Sequence, residues 1–395
     1  MKNFVLIVFG QIISLFGNAA LRFALPLVLL RQSGSAALYG SVTALAMLPA
    51  LAGMLAGGAL ADRCRKARLM ALLDLLTTGL SVFAACGITH LPLLPLTLGG
   101  LYAIQGLYQP VVRASLPLVL EDRQLVRGNA VLQLVDTVDE LLGPLLGSLL
   151  LEACGIRGLL LLCGGCFAAS AGLELCIRIP RDLPGDAPLS LSGILADLRD
   201  STRYLTGQPA LLQLAATMAA VNLLEIPALT VGIPVLVVQF LHKSDAALGL
   251  AQAVLSAGGI LGGVLAGTWF TRHPFRSGLP LLSGIGGVCA AMGLVLLVPP
   301  LAFGGLLALG FAVMAAAMLF NVWFFTQLQQ RVPQAQLGRV TACLTVLACL
   351  TQPLGQAAYG VLFQYWVTNP AVILLGAGTL SALVLSLLAA QAPSL

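Results

Sequence analysis

The sequence predicts an all-α membrane protein with twelve transmembrane helices, arranged as two pseudo-symmetric six-helix bundles. Three observations carry this reading. Hydrophobic residues make up 59% of the 395 and the mean hydropathy is +0.99, well above the roughly half-apolar composition of a soluble domain. Basic residues cluster in alternate connections, and short motifs recur at equivalent places in the two halves.

A spanning helix needs about 20 apolar residues. Stretches of that kind lie at 4–30, 36–60, 69–88, 94–118, 129–151, 158–178, 209–239, 248–270, 279–299, 301–328, 340–367 and 370–390, which leaves no room for a soluble domain. The first, MKNFVLIVFGQIISLFGNAALRFA, has the lone lysine and small-residue end of a signal peptide, but its apolar region runs beyond the usual signal length. It is read as span one. Between spans two and three, GGALADRCRKAR (57–68) packs one aspartate and four cations into a chain that is only 9% charged. Such an aspartate can cap the next helix or pair with a base, and the Arg/Lys cluster anchors the loop in the cytoplasm.

The remaining connections follow the same logic, because Lys and Arg in short loops stay cytoplasmic. With the N-terminus inside, sixteen bases fall on the cytoplasmic side, only Arg31, Arg157 and Lys243 face outward, and Arg22 lies within the membrane. Both termini are therefore expected in the cytoplasm. The net charge of +5 is a topological signal and gives no reason to expect a nucleic-acid partner. The longest polar stretch, 178–208, carries Pro180, Pro184 and Pro188 and divides the chain into an N-terminal bundle (1–178), a linker (179–208) and a C-terminal bundle (209–395). Leu191, Ile194, Leu195, Leu198 and Leu205 recur at helical spacing in the linker, which predicts a helix lying along the cytoplasmic interface, either as a mechanical joint or as a passive connection.

Repeats support the division. QLVR at 124–127 recurs as QLGR at 336–339, and GGALA at 57–61 recurs as GGVLA at 262–266, with Gly267 at the place of Asp62. Parallel duplicated halves imply a transporter with its substrate site between them near the bilayer midplane. Other classes find little support. Nine cysteines form no disulfide or zinc framework; Cys163 and Cys166 have redox-motif spacing but sit on a glycine-rich membrane helix as small packing residues. His90, His242 and His273 lie at loops, and no nucleophile-base or metal-ligand spacing and no GxxxxGK[ST] loop appears. No enzyme, metal, cofactor or ATP-driven pump is expected.

The 57–68 loop resembles the signature loop of the major facilitator superfamily, between its transmembrane helices 2 and 3. Gly58, Asp62, Arg63, Lys66 and Arg68 fit the pattern, while Arg65 stands where a second glycine is usual. The stretches 10–29 and 112–150 look like the macrolide-efflux branch, and siderophore exporters and lysophospholipid transporters share much of the pattern. The resemblance implies an alternating-access secondary transporter, monomeric, in a bacterial inner or plasma membrane, with a small-molecule substrate. It also implies that Asp62 and Arg63 help hold the cytoplasmic side closed when the cavity faces outward.

Charges inside spans cost about 2.5 to 3.5 kcal/mol each on insertion scales, yet Arg22, Asp74, Asp136, Asp139, Glu140, Glu174 and Glu225 all lie in spans. Asp74 is near the cytoplasmic end and Glu174 is at i, i+4 from Arg178, so both are read as structural. Arg22 and Glu225 stand on spans one and seven, which line the central cavity in the resembled superfamily; they are expected to face one another, as cavity residues or as a static bridge. Asn18 shares a face with Arg22 and Asn222 with Glu225, and Pro227 and Pro234 free nearby carbonyls. Asp136, Asp139 and Glu140 crowd three carboxylates into about a turn and a half, so at least one is expected to carry a proton unless a base such as Arg22 or Arg113 is close. Gly143, Pro144 and Gly147 resemble the core of the antiporter motif, with Leu134 in place of its upstream glycine, and are expected to form a hinge or gate. Gln105, Tyr108, Gln109, Asn321, Trp323, Gln352 and Gln356 are further cavity candidates for a bulky amphipathic solute, or bonds between helices.

The reading is proton-coupled efflux of a hydrophobic or amphipathic compound of drug or macrolide type. A lysophospholipid or lipid flippase is the alternative within transport; a receptor or scaffold that transports nothing is the alternative outside it.

Overall fold

The structure, a computed structural model, describes residues 2–87, 90–177, 203, 207–269, 279–332, 334–366 and 369–390. In order they form α1 (Lys2–Ser33), α2 (Ala36–Arg63), α3 (Lys66–Cys86), α4 (Leu93–Val119) and α5 (Asp122–Leu175). A broken helix follows, composed of α6 (Pro209–Ala220), a π-helical turn Val221–Glu225, α7 (Ile226–Thr230), α8 (Gly232–Val235) and a second π-helical turn Leu236–Phe240. The last helices are α9 (Asp245–Trp269), α10 (Leu279–Val295), α11 (Pro299–Arg331), α12 (Gln334–Tyr365) and α13 (Pro370–Ala390). The interfacial helix expected around 191–205 lies, Arg203 apart, outside the described residues.

Among the described residues, eight stretches are long and apolar enough to cross a membrane, Val131–Leu175 with 45 residues being one of them. At about 1.5 Å per residue that stretch is roughly 68 Å long, twice the roughly 30 Å hydrocarbon core. It therefore makes two passes. The break falls at Gly155, whose φ of 67° and ψ of 175° lie in a region that only glycine occupies without strain.

The helices bury polar residues among apolar ones and also turn many large apolar side chains outward, unlike a soluble bundle. On α3, Leu72, Leu75, Leu76 and Phe83 are exposed, whereas Asp74, Thr77 and Ser81 are buried. An apolar surface of this kind matches lipid, and only helices that satisfy their own backbone can stand in it.

Contacts group the chain into two compact units. Unit 1 comprises Met1–Gly34, Leu45–Leu189 and Asp245–Leu250; unit 2 comprises Ser35–Ala44, Ser190–Ser244 and Ala251–Leu395. In unit 1, α1 and α3 both pack against α4 and α5. In unit 2, α10 packs against α11 and α13, and α12 against the broken helix. The first turns of α9 belong to unit 1, where Asp245 forms a salt bridge with Arg31 at 2.6 Å.

The sequence repeat has a physical counterpart. A Cβ on Gly53 or Gly57 of α2 would come within 2.4 or 2.5 Å of the Ala103 or Leu107 carbonyl of α4. In unit 2 a Cβ on Gly258 or Gly262 of α9 would meet the Phe311 or Ala315 carbonyl of α11, each at 2.3 Å. Glycines four apart thus bring two backbones together in the same way in each unit. That is why GGALA and GGVLA recur: the packing glycine, Gly57 in one and Gly262 in the other, is common to both.

The broken helix follows from its prolines. Pro234 has no N–H to offer the Thr230 carbonyl four residues before it, and the Tyr39 hydroxyl donates to that carbonyl instead, at 3.4 Å. Just before Pro227, the Leu224 carbonyl accepts from the Tyr359 hydroxyl at 2.7 Å. At Thr230 a neighbouring helix thus supplies the hydrogen bond that Pro234 removes.

Candidate functional site

The expected loop between α2 and α3 is mostly helix. α2 continues through Gly58 and Asp62 to Arg63, and α3 starts at Lys66, so only Cys64 and Arg65 connect them. Lys66 is buried and Arg68 exposed.

A polar site forms where α1, α4 and α5 meet in unit 1. Arg22 projects from α1 with its guanidinium carbon 4.2 Å from the centroid of the Tyr102 ring on α4, and it remains accessible. One turn earlier, Asn18 Nδ2 donates to Gln105 Oε1 at 3.2 Å. Arg22 interacts electrostatically with Asp139 and Glu140 on α5, whereas Asp136 interacts with Arg113. Asp139 Oδ1 is buried without a hydrogen-bond partner. A cation on an aromatic face thus lies within electrostatic reach of two carboxylates, one helical turn from an amide pair.

Beside this site α5 lies tight on α1. A Cβ on Gly143 would come 2.4 Å from the Ala19 Cβ, and one on Gly147 would lie 2.9 Å from the Ala20 Cα. On another side of α5, a Cβ on Gly249 of α9 would strike the Ser148 hydroxyl and come 3.1 Å from the Pro144 carbonyl. The Gly143, Pro144, Gly147 segment is therefore a close-packed crossing of three helices.

Several expectations are corrected. Glu225 is held by partners in its own unit. It is buried within unit 2, where Ser381 Oγ donates to its Oε1 and Cys289 Sγ to its Oε2, the latter at 3.0 Å. The π-helical turn that ends at Glu225 adds a residue to the helical turn and swings this side chain off the face predicted from a regular 3.6-residue period. Asn222 donates back to the Met218 carbonyl at 3.0 Å. Tyr108 is also turned inward, 2% exposed, and its hydroxyl donates to Glu174 Oε1. Trp323 is buried against Phe320, with ring centroids 5.9 Å apart, while Asn321 is exposed. Gln356 is buried and donates to the Thr230 hydroxyl at 3.5 Å.

Sequence reasoning missed Tyr102. The signal was present, since Tyr102, Gln105 and Gln109 recur at i, i+3, i+7 and share a face, whereas Tyr108 falls about a quarter-turn around α4 from the middle of that face. No group of three His, Cys, Asp or Glu converges as a metal site among the described residues.

The family model of the Major Facilitator Superfamily matches residues 7–356. The chain belongs to that superfamily. Among curated proteins this superfamily member is similar to the enterobactin exporter EntS of Citrobacter koseri, 26% identical over 366 residues and covering 89% of this chain and 83% of that one. EntS of Shigella boydii is 27% identical with the same coverage. Among solved structures, a bacterial homologue of the human lysosomal transporter Spinster, inward-facing and occupied, aligns with a TM-score of 0.74 at 15% identity, covering 98% of this chain and 94% of that one. The nucleoside transporter NupG aligns with a TM-score of 0.75 at 12% identity, covering 98% and 100%. At these identities the structures establish the fold. The protein is thus an all-α membrane transporter and not an enzyme.

Proposed function

We propose that this transporter exports a bulky amphipathic small molecule by alternating access, in exchange for protons. The observation that carries the reading is Arg22, held over the Tyr102 ring within electrostatic reach of Asp139 and Glu140. While these acids are ionised they accept hydrogen bonds from the hydroxyl or amine groups of a substrate whose apolar body lies on the Tyr102 ring. When one takes up a proton, that acceptor is lost and the substrate is released. Substrate and proton then compete for the same carboxylates, the chemistry of exchange. The enterobactin exporters to which the chain is similar support efflux and make a siderophore the first substrate to test, with macrolides second.

Residues 1–178 and 209–395 act as the two moving bundles of a monomer, joined by 179–208, with both termini in the bacterial cytoplasm. The crossing at Gly143 and Gly147 is the gate, and Asp62 and Arg63 form the cytoplasmic latch. Asp62→Asn should shift the population inward, which distances between cytoplasmic spin labels would report.

The test uses the purified protein in proteoliposomes with an imposed pH gradient. Asp136→Asn, Asp139→Asn and Glu140→Gln are made singly. Loss of pH-driven flux at Asp139 or Glu140, with normal expression, is expected; unchanged flux in all three would sink proton coupling. Lipid movement without a gradient, and no movement of siderophore or drug with one, would make the protein a flippase.

A further inference from the structure

Unit 1 contains a second polar cluster that the exchange site does not use. Gln11 and Ser14 come from α1, Asp74 from α3, Tyr108 from α4, and Ser170 and Glu174 from the last turns of α5. Gln11, Asp74 and Glu174 are 2%, 3% and 2% exposed. The apolar residues Ile7, Met70, Leu73, Val111 and Ile177 pack around the same region. The sequence reading assigned the two acids structural roles near the cytoplasmic boundary; Arg178, the partner expected for Glu174, lies outside the described residues.

The hydrogen bonds are incomplete in a patterned way. Ser14 Oγ donates to Asp74 Oδ1 at 2.8 Å, and Tyr108 donates to Glu174 Oε1. The other oxygen of each carboxylate, Asp74 Oδ2 and Glu174 Oε2, is buried with no partner, as is Gln11 Nε2. The two carboxylates interact electrostatically with one another, and neither forms a salt bridge with a base among the described residues. One proton held between the two carboxylates would serve their free oxygens and leave Gln11 Nε2 without an acceptor, a deficit that protonation alone does not remove.

A cation removes it. We propose that Asp74 Oδ2 and Glu174 Oε2 ligate a hard divalent cation in the interior of unit 1, with calcium the ion that the donors fit. The available donors are all oxygens, namely two carboxylates and the hydroxyls of Ser14, Ser170 and Tyr108, the donor class that calcium takes in flexible geometry and that soft metals avoid. Two carboxylates neutralise a divalent ion, whereas a monovalent one leaves a net charge in low dielectric. Gln11 Nε2 supplies a donor for a water in the ion's shell. Close approach of α1 completes the cradle: Ser170 Oγ donates to the Gly10 carbonyl at 3.0 Å, and a Cβ on Gly10 would lie 3.3 Å from that hydroxyl and 3.6 Å from Glu174 Cγ. A bound ion would tie α1, α3 and α5 together at one point.

Equilibrium binding of radioactive calcium to purified, chelator-treated protein tests this, with thermal unfolding in calcium, magnesium, sodium or potassium alongside. Saturable binding of one equivalent is expected, together with a calcium-dependent rise in the melting temperature. Asp74→Asn and Glu174→Gln should each weaken binding at least about tenfold, and Asp139→Asn, in the exchange site, should leave it unchanged. If the Asp74 or Glu174 variants fail to fold, the wild-type stoichiometry and ion selectivity still decide. Absence of saturable binding, a response to sodium alone, or stability that follows pH and ignores calcium would overturn the proposal. None of these readouts depends on transport, so failure here and failure of the exchange mechanism are distinguishable.

Discussion

Tyr102 gives the sharpest test of how the exchange site works, because the contribution of its ring can be separated from that of Arg22's charge. The guanidinium sits 4.2 Å from the ring centroid, inside the range where a cation and an aromatic face attract by about 0.5 kcal/mol when exposed and about 2 kcal/mol when desolvated. At about 1.36 kcal/mol per factor of ten, loss of the ring should weaken the occupied state by roughly 2-fold to 30-fold. Tyr102→Leu removes the face and keeps a comparable apolar volume; Tyr102→Phe keeps the face and removes only the hydroxyl. Apparent substrate affinity in proteoliposome efflux should fall within that range for the leucine variant and stay near wild type for the phenylalanine variant. Equal behaviour of the two variants would refute the stacking argument, because it would mean that the ring face contributes nothing.

Further perturbations address other parts of the structure. Gly147→Leu should lower the melting temperature and abolish flux, since overpacking against the Ala20 backbone costs about 1 to 3 kcal/mol; differential scanning fluorimetry and efflux read both. Ser381→Ala leaves Glu225 Oε1 without its donor and should destabilise the protein by about 1 to 3 kcal/mol, with Ser381→Thr restoring most of the loss in chemical unfolding. Combining Arg22→Glu with Glu225→Arg should give no mutual rescue of transport, because these residues hold different partners. Tyr359→Phe should lower thermal stability in detergent, as it exposes the Leu224 carbonyl beside Pro227.

What the sequence revealed and what it hid have separable physical causes. Span positions were legible because lipid demands long apolar runs whatever the tertiary contacts, and the recurring glycines were legible because close backbone approach tolerates only glycine. The shared face of Asn18 and Arg22 followed from helical periodicity, and Arg22 was one of two bases offered to the acids of α5, whereas the hydrogen bond from Asn18 to Gln105 joins two helices and has no signature in either one alone. Glu225 was misplaced where periodicity fails, at a π-helical turn that no single residue in VNLLE announces. Tyr108 was placed among the cavity residues for another reason. Apolar surface faces outward in lipid, so a polar residue on a spanning helix can face a cavity or a dry bundle interior with the same pattern. Asp62 was assigned to a loop because charge marks the membrane boundary, whereas the helix ends one residue later.

The central claim is exchange at Asp139 and Glu140 beside Arg22, and proton movement coupled to substrate efflux measures it most directly. In proteoliposomes containing a pH-sensitive dye, adding siderophore to the substrate-binding side should drive proton flux in the opposite direction, and Asp139→Asn should abolish that flux. Substrate movement of normal rate with no proton movement, in wild type and variant alike, would contradict the account.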